Sequence, residues 1–380
     1  MQQALVMALV DDVRDCLRGS TVWFIGDSVS RAHFFAAKAL FDPSAQYPKR
    51  EEAQELCGKG GAWGGLRPNS TKLLSKVVPV CRADAPVLGA RLAFAWMSAR
   101  YDPFVAAHLQ GRVEAHASPS RTISSTATTT TNEAETEVER AEAPRLAAPP
   151  PREPLDIRAG DLVVLNGGFL DLYAPHSGTN PAAHYPKRAQ SDLRAMAAAA
   201  AAGRAAGRRV FWRLATGVCL RDARYGNLSD PAVLGSTPIR ALRDSLNVVN
   251  AYVGVANAQA VAAMAQAGVP LISLTDGADG PLAGCARAAP RERCMCDLLP
   301  RLPAYVRARR DFQLDAASCA AECAAPTVPG DLGDASAACW CDGFEDDKHP
   351  APPLSSRHVA SQLRQACAAR RGHEKWRGRQ

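Results

Sequence analysis

Residues 22–31 read VWFIGDSVSR, and the passage from Ile25 to Val29 decides how the rest of the chain is read. Val22 to Ile25 are apolar and partly β-branched, the composition of a buried strand. Gly26 follows as a turn residue. In residues 29–41, VSRAHFFAAKALF, the apolar residues Val29, Ala32, Phe35, Ala36 and Leu40 recur at helical spacing. The stretch is therefore a strand, a tight turn and a helix. Capping of that helix by Asp27 or Ser28 accounts for the polar pair on its own. The same placement holds Ser28 at a strand-to-helix junction, where a serine can serve as a nucleophile.

The pattern continues outward. Residues 92–97, LAFAWM, read as a buried strand, as do 161–172, DLVVLNGGFLDL, which run into glycines. An alanine-rich helix is predicted over 188–207, a strand over 209–217, RVFWRLATG, helix over 238–267, and a short strand over 269–274, VPLISL. Strands separated by long helical segments imply βαβ units and a parallel sheet covered on both faces. Ligand sites of such sheets lie at the carboxyl ends of the strands, where Ser28 and Asn166 both fall.

At 380 residues the chain has room for a full core, and it is read as one domain, 1–380, with insertions. Residues 115–154 contain a run rich in Thr, Ser, Glu, Ala and Pro, too poor in apolar side chains to fold; a disordered insertion is expected, open to O-glycosylation. Residues 58–70, GKGGAWGGLRPNS, are loop by composition and hold no phosphate-loop motif. Of the net charge of +7, +4 lies in the last eleven residues, in Arg370, Arg371, Lys375, Arg377 and Arg379 less Glu374. Residues 368–380 are thus a basic tail, and the balance of the chain does not describe a nucleic-acid surface. No segment has the roughly 18 uninterrupted apolar residues of a membrane span, and residues 1–15 lack the layout of a signal peptide. A soluble chain without a membrane segment is expected.

Twelve cysteines sit uneasily with the cytosol. Seven of them, Cys285, Cys294, Cys296, Cys319, Cys323, Cys339 and Cys341, crowd into residues 285–341, a cysteine-rich excursion. Their spacings also permit zinc ligation, but paired C-x2-C knuckles are lacking, so disulfides are expected and no metal. The sequons Asn69-Ser70-Thr71 and Asn227-Leu228-Ser229 fit a lumenal history. The expected location is the secretory pathway, Golgi lumen or extracellular, with the signal or anchor upstream of Met1.

A serine needs a base, and the base works best with a carboxylate that fixes its tautomer. Residues 341–367, CDGFEDDKHPAPPLSSRHVASQLRQAC, supply Asp346 and His349 two residues apart in a loop ahead of a closing helix predicted over 355–367. Oxyanion contacts are available from the backbone N–H of Ser28 at a helix N-terminus, from Gly168 and from the Asn166 amide. Arg31 and His33 are read as helix-surface or packing residues, although Arg31 has the charge to bind an acidic sugar. His358, within the closing helix, is read as structural.

FIGDSVSR and DDKH resemble the first block and the terminal Asp-x-x-His block of the GDSL-type or SGNH hydrolases. The phrasing LRGSTVWFIGDSVSRAHFF, then DLVVLNGGFLD, then VFWRLATG, is similar to the PC-esterase branch, which includes the trichome-birefringence-like polysaccharide O-acetyltransferases. The resemblance implies a flavodoxin-like three-layer α/β/α fold with a central parallel sheet. It implies Ser28 as nucleophile, His349 as base, Asp346 as orienting acid, and Gly168 and Asn166 in the oxyanion region. The superfamily's G-x-N-D block stands here as Gly168-Phe169-Leu170-Asp171, with leucine in place of asparagine. The expected activity is transfer or hydrolysis of an acyl, by resemblance acetyl, ester on a carbohydrate or polysaccharide, with no cofactor. The alternative is a catalytically inactive glycan-binding or structural protein of the same fold.

Overall fold

The computed structural model describes residues 2–57, 80–97, 100–112, 152–167, 185–215, 221–222, 226–227, 253, 256–272 and 352–377. Helices are α1 (Gln2–Leu17), α2 (Ser28–Phe41), α3 (Arg50–Cys57), α4 (Pro103–Gln110), α5 (Tyr185–Ala205), α6 (256–266) and α7 (Pro352–Arg377). Strands are β1 (Thr21–Gly26), β2 (Cys81–Ala85), β3 (Ala90–Trp96), β4 (Leu162–Leu165), β5 (Arg209–Arg213), β6 (Arg221–Asp222), β7 (Gly226–Asn227) and β8 (Leu271–Ile272). Six of them form one sheet in the order β2-β3-β1-β4-β5-β8, and β6 and β7 pair separately.

All pairings in the large sheet are parallel except that of β2 with β3. Counted along the chain, the five parallel strands therefore stand in the order second, first, third, fourth, fifth. β1 lies between β3 and β4, with Gly26 opposite Trp96 and Ile25 opposite Leu165. Because side chains alternate along a strand, β1 feeds two cores. Val22 and Phe24 pack with residues of α1, α2 and α7, whereas Trp23 and Ile25 pack with residues of α4, α5 and α6. Helices thus cover both faces, and each of these fully buried apolar side chains stabilises the fold by roughly 2 kcal/mol.

Strands are present within all five expected stretches: β1 extends one residue beyond 22–25 at each end, β3 starts two residues before 92, and β4, β5 and β8 occupy part of 161–172, 209–217 and 269–274. The closing helix is longer than expected: it starts with Pro352 and Pro353, residues suited to a first helical turn, and runs through the basic residues to Arg377. One boundary is corrected. Arg152, Glu153 and Pro154, counted above in the insertion, belong to the ordered fold. Arg152 pairs with the α4 cap Asp102 and donates to the Trp96 carbonyl, and Glu153 accepts from the Val80 N–H and pairs with Arg82. The rest of the insertion, the loop 58–70 and the excursion 285–341 lie outside the described residues.

Two disulfides join Cys16 to Cys367 and Cys57 to Cys81, and the described cysteines leave no free thiol. Such bonds are consistent with a secretory or extracellular protein. Among the described residues no helix is long and apolar enough to cross a membrane. The first bridge spans 351 residues of sequence, and closing so long a loop removes much freedom from the unfolded chain. Replacing both cysteines, Cys16→Ser/Cys367→Ser, is expected to lower unfolding stability by about 4 kcal/mol. Urea unfolding of the oxidised protein measures this, and an unchanged midpoint would show that the bridge adds nothing.

Candidate active site

Ser28 is the first residue of α2, directly after the turn that ends β1. Asp27 caps the helix in extended conformation, its Oδ1 accepting the Val29 N–H at 2.9 Å. Asp27 and Val29 are buried, while Ser28 between them is partly exposed. The turn is tight because Gly26 sits where no side chain fits: a Cβ there would lie 2.3 Å from Ser30 Oγ and 2.4 Å from the Asn166 carbonyl oxygen. A glycine permits that backbone approach. The Asn166 N–H donates to the Ile25 carbonyl, so the ends of β1 and β4 are pinned side by side.

From β1 the chain goes first to β3 on one side and later to β4 on the other, the arrangement that in open α/β sheets leaves a crevice beyond the strand's carboxyl end. Ser28 stands at that crevice with the N-terminal dipole of α2 behind it. Asn166 is 2% exposed, and its amide nitrogen donates to the Arg213 carbonyl at the end of β5. Arg31 is 6% exposed, with its guanidinium 5.2 Å from the centre of the Trp96 ring. Gly168, Asp346 and His349 lie outside the described residues.

The closing helix bears on the same edge. Cys16 lies near the end of α1, just ahead of β1, and Cys367 is bonded to it, while Arg364 pairs with Asp12 of α1. That end of α7 is therefore at the amino ends of the strands. Its other end, starting at Pro352, runs alongside the first turns of α2 at the carboxyl ends, where His358 meets His33. α2 and α7 are thus parallel, and both begin at the crevice.

Sequence reasoning missed the buried polar cluster beneath Ser28. His33 and His358 are both fully buried, with ring nitrogens 3.2 Å apart, and the Gln362 amide donates to His33 Nδ1 at 3.0 Å. That donation makes Nδ1 an acceptor, so His33 Nε2–H donates to His358 Nδ1 and the His358 proton is on Nε2. Burial, then the nearby Arg213 charge, then His358, hold His33 well below its ordinary value. His358 is lowered to about 3, by burial and then Arg213. Arg213 itself is 1% exposed, lowered to about 10 by burial while the Asp27 carboxylate works the other way, and its Nη2 lies 3.5 Å from Ser30 Oγ. The signal was there: VFWRLA holds an arginine inside an apolar strand run.

Compared with models of known protein families, with curated proteins and with solved structures, the chain matches none.

Proposed function

We propose that the chain carries out serine-dependent acyl transfer or hydrolysis on a carbohydrate ester, acetyl being the group that the sequence resemblance implies. One observation supports this most: Ser28 is a partly exposed first residue of a helix, held between buried neighbours at the carboxyl end of the strand where the sheet order reverses. That strand order is the one of flavodoxin-like sheets, whose ligands occupy this crevice. His349 is three residues ahead of Pro352, at most about 10 Å of extended chain, and Pro352 begins the helix that starts at the same edge.

In this reading His349 takes the proton of Ser28 as its Oγ attacks the acyl carbonyl carbon, while Asp346 fixes the imidazole. Negative charge on the carbonyl oxygen is met by the Ser28 N–H and the α2 dipole, with Gly168 adding a second N–H. The alcohol leaves with the proton from His349. A sugar hydroxyl or a water then gives its proton to His349 and takes the acyl group, and the bond to Ser28 breaks as His349 returns that proton to Oγ. The disulfides are consistent with a reaction in the secretory pathway or outside the cell.

A fluorophosphonate probe, which reacts with activated serines, tests the reading. Peptide mass mapping should find one adduct, on Ser28, in protein that releases p-nitrophenol from its acetate ester. An unlabelled Ser28, beside a fully labelled serine-hydrolase control, would leave the inactive glycan-binding reading, which Leu170 in the G-x-N-D block favours.

A further inference from the structure

Arg213 is the most deeply buried arginine among the described residues, and nothing in an apolar strand requires it there. A buried guanidinium is costly unless an anion and hydrogen bonds compensate it. Two contacts and one neighbouring charge locate it. Its carbonyl accepts from the Asn166 amide at 2.9 Å, which ties β5 to the end of β4. Its Nη2 reaches Ser30 Oγ, the group that closes over Gly26. Its charge is favoured by Asp27, the cap of α2. Asp27 is 0% exposed; one carboxylate oxygen caps Val29, and among the described residues the other has no hydrogen-bond partner. A carboxylate so placed needs a nearby cation to persist in the core.

We propose that Arg213 is a positioning residue for Ser28: its buried guanidinium neutralises Asp27 and grips Ser30, and so holds the first turn of α2 in the geometry that aims the serine. The proposal rests on the reading of Ser28 as nucleophile. Arg213 does not touch the substrate; it acts through residues 27 and 30, on either side of Ser28. His33 and His358, the other titratable groups of the cluster, are neutral in the fold and supply no competing charge.

The test is a cycle of four proteins, wild type, Arg213→Met, Asp27→Asn and the double variant, with Arg213→Lys beside it. Each is measured for thermal unfolding and for fluorophosphonate labelling of Ser28, resolved into the inactivation rate constant and the probe affinity. Arg213→Met should slow the inactivation step about 10²-fold with little change in affinity, because a small displacement of a reacting group costs that much. Asn still caps a helix, so the double variant, relieved of the stranded carboxylate, should unfold at a higher temperature and label faster than Arg213→Met alone. Arg213→Lys, which keeps the charge, should label within about tenfold of wild type. If Arg213→Met does not fold but the double variant does, the pairing is supported. If the two losses simply add, or neither variant folds, the proposal is overturned. Wild-type protein that fails to label at Ser28 removes the nucleophile reading and the positioning role with it, while rescue in the unfolding cycle still reports whether Arg213 neutralises Asp27.

Discussion

Ser28→Ala is expected to abolish hydrolysis of p-nitrophenyl acetate, and His349→Ala to lower kcat/KM by about 10³-fold or more, both with the fold retained by circular dichroism. The reasoning is the same for the two. Without Oγ there is no acyl-enzyme, and without a base Oγ stays protonated, leaving only the contacts that stabilise the oxyanion. Asp346→Asn should also be severe, because an amide favours the wrong imidazole tautomer. Asp347 lacks the two-residue separation from His349, and His358 is held against His33 in the core, so Asp347→Asn and His358→Ala should keep turnover within about tenfold. Kinetics on these five variants decide the assignment. Full activity in Ser28→Ala ends the serine mechanism, and an indispensable Asp347 or His358 ends the choice of acid and base.

The second large effect is a loss of stability in acid. In the unfolded chain both imidazoles of the buried pair titrate near 6.5, whereas in the fold His358 is lowered to about 3 and His33 lies well below its ordinary value. Above pH 6.5 both states carry neutral rings and stability is at its full value. As the pH falls below 6.5 the unfolded state takes up two protons that the folded state refuses, so stability drops. His358 alone gives a slope of about 1.4 kcal/mol per pH unit, or roughly 2.5 kcal/mol between pH 6.5 and 4.5, and His33 adds to it in the same direction. Urea unfolding at stepped pH, with the His33→Gln/His358→Gln protein as reference, isolates the effect. Equal slopes for the two proteins would show that the pair contributes nothing.

The sequence carried the parallel strands because each is a short run buried on both faces, and such runs are apolar throughout. It did not carry β2. Residues 81–85, CRADA, form an antiparallel edge in which Arg82 and Asp84 are exposed between Cys81, Ala83 and Ala85, and that short alternation has no β-branched or aromatic residue to mark it as a strand. The helix over residues 2–17 was not legible, because its stretch of sequence opens on Met1-Gln2-Gln3 with no capping residue and no acidic first turn to mark a start. Ser28 and Asn166 were legible as strand-end residues, since a turn glycine or a polar residue after an apolar run is a local feature. The pairings Cys16–Cys367 and Cys57–Cys81 were not, because a disulfide is set by where two backbones meet in space, and the cysteine spacing that drew notice lies in residues 285–341. Of the polar cluster under Ser28 only Arg213 left a local mark, as an arginine within an apolar strand run; the pairing of the two histidines left none, for the same reason. His33 and His358 are 325 residues apart in sequence, and either alone reads as an ordinary helical residue.

The bond between Cys16 and Cys367 turns most of the chain into a covalent ring. A protease that cuts once within residues 115–151 opens that ring without releasing a fragment. The product is a two-chain molecule that runs as one species on a non-reducing gel and as two after reduction. Ser28 is then on one chain and His349 on the other, and the bond at the far ends of α1 and α7 is what still joins them.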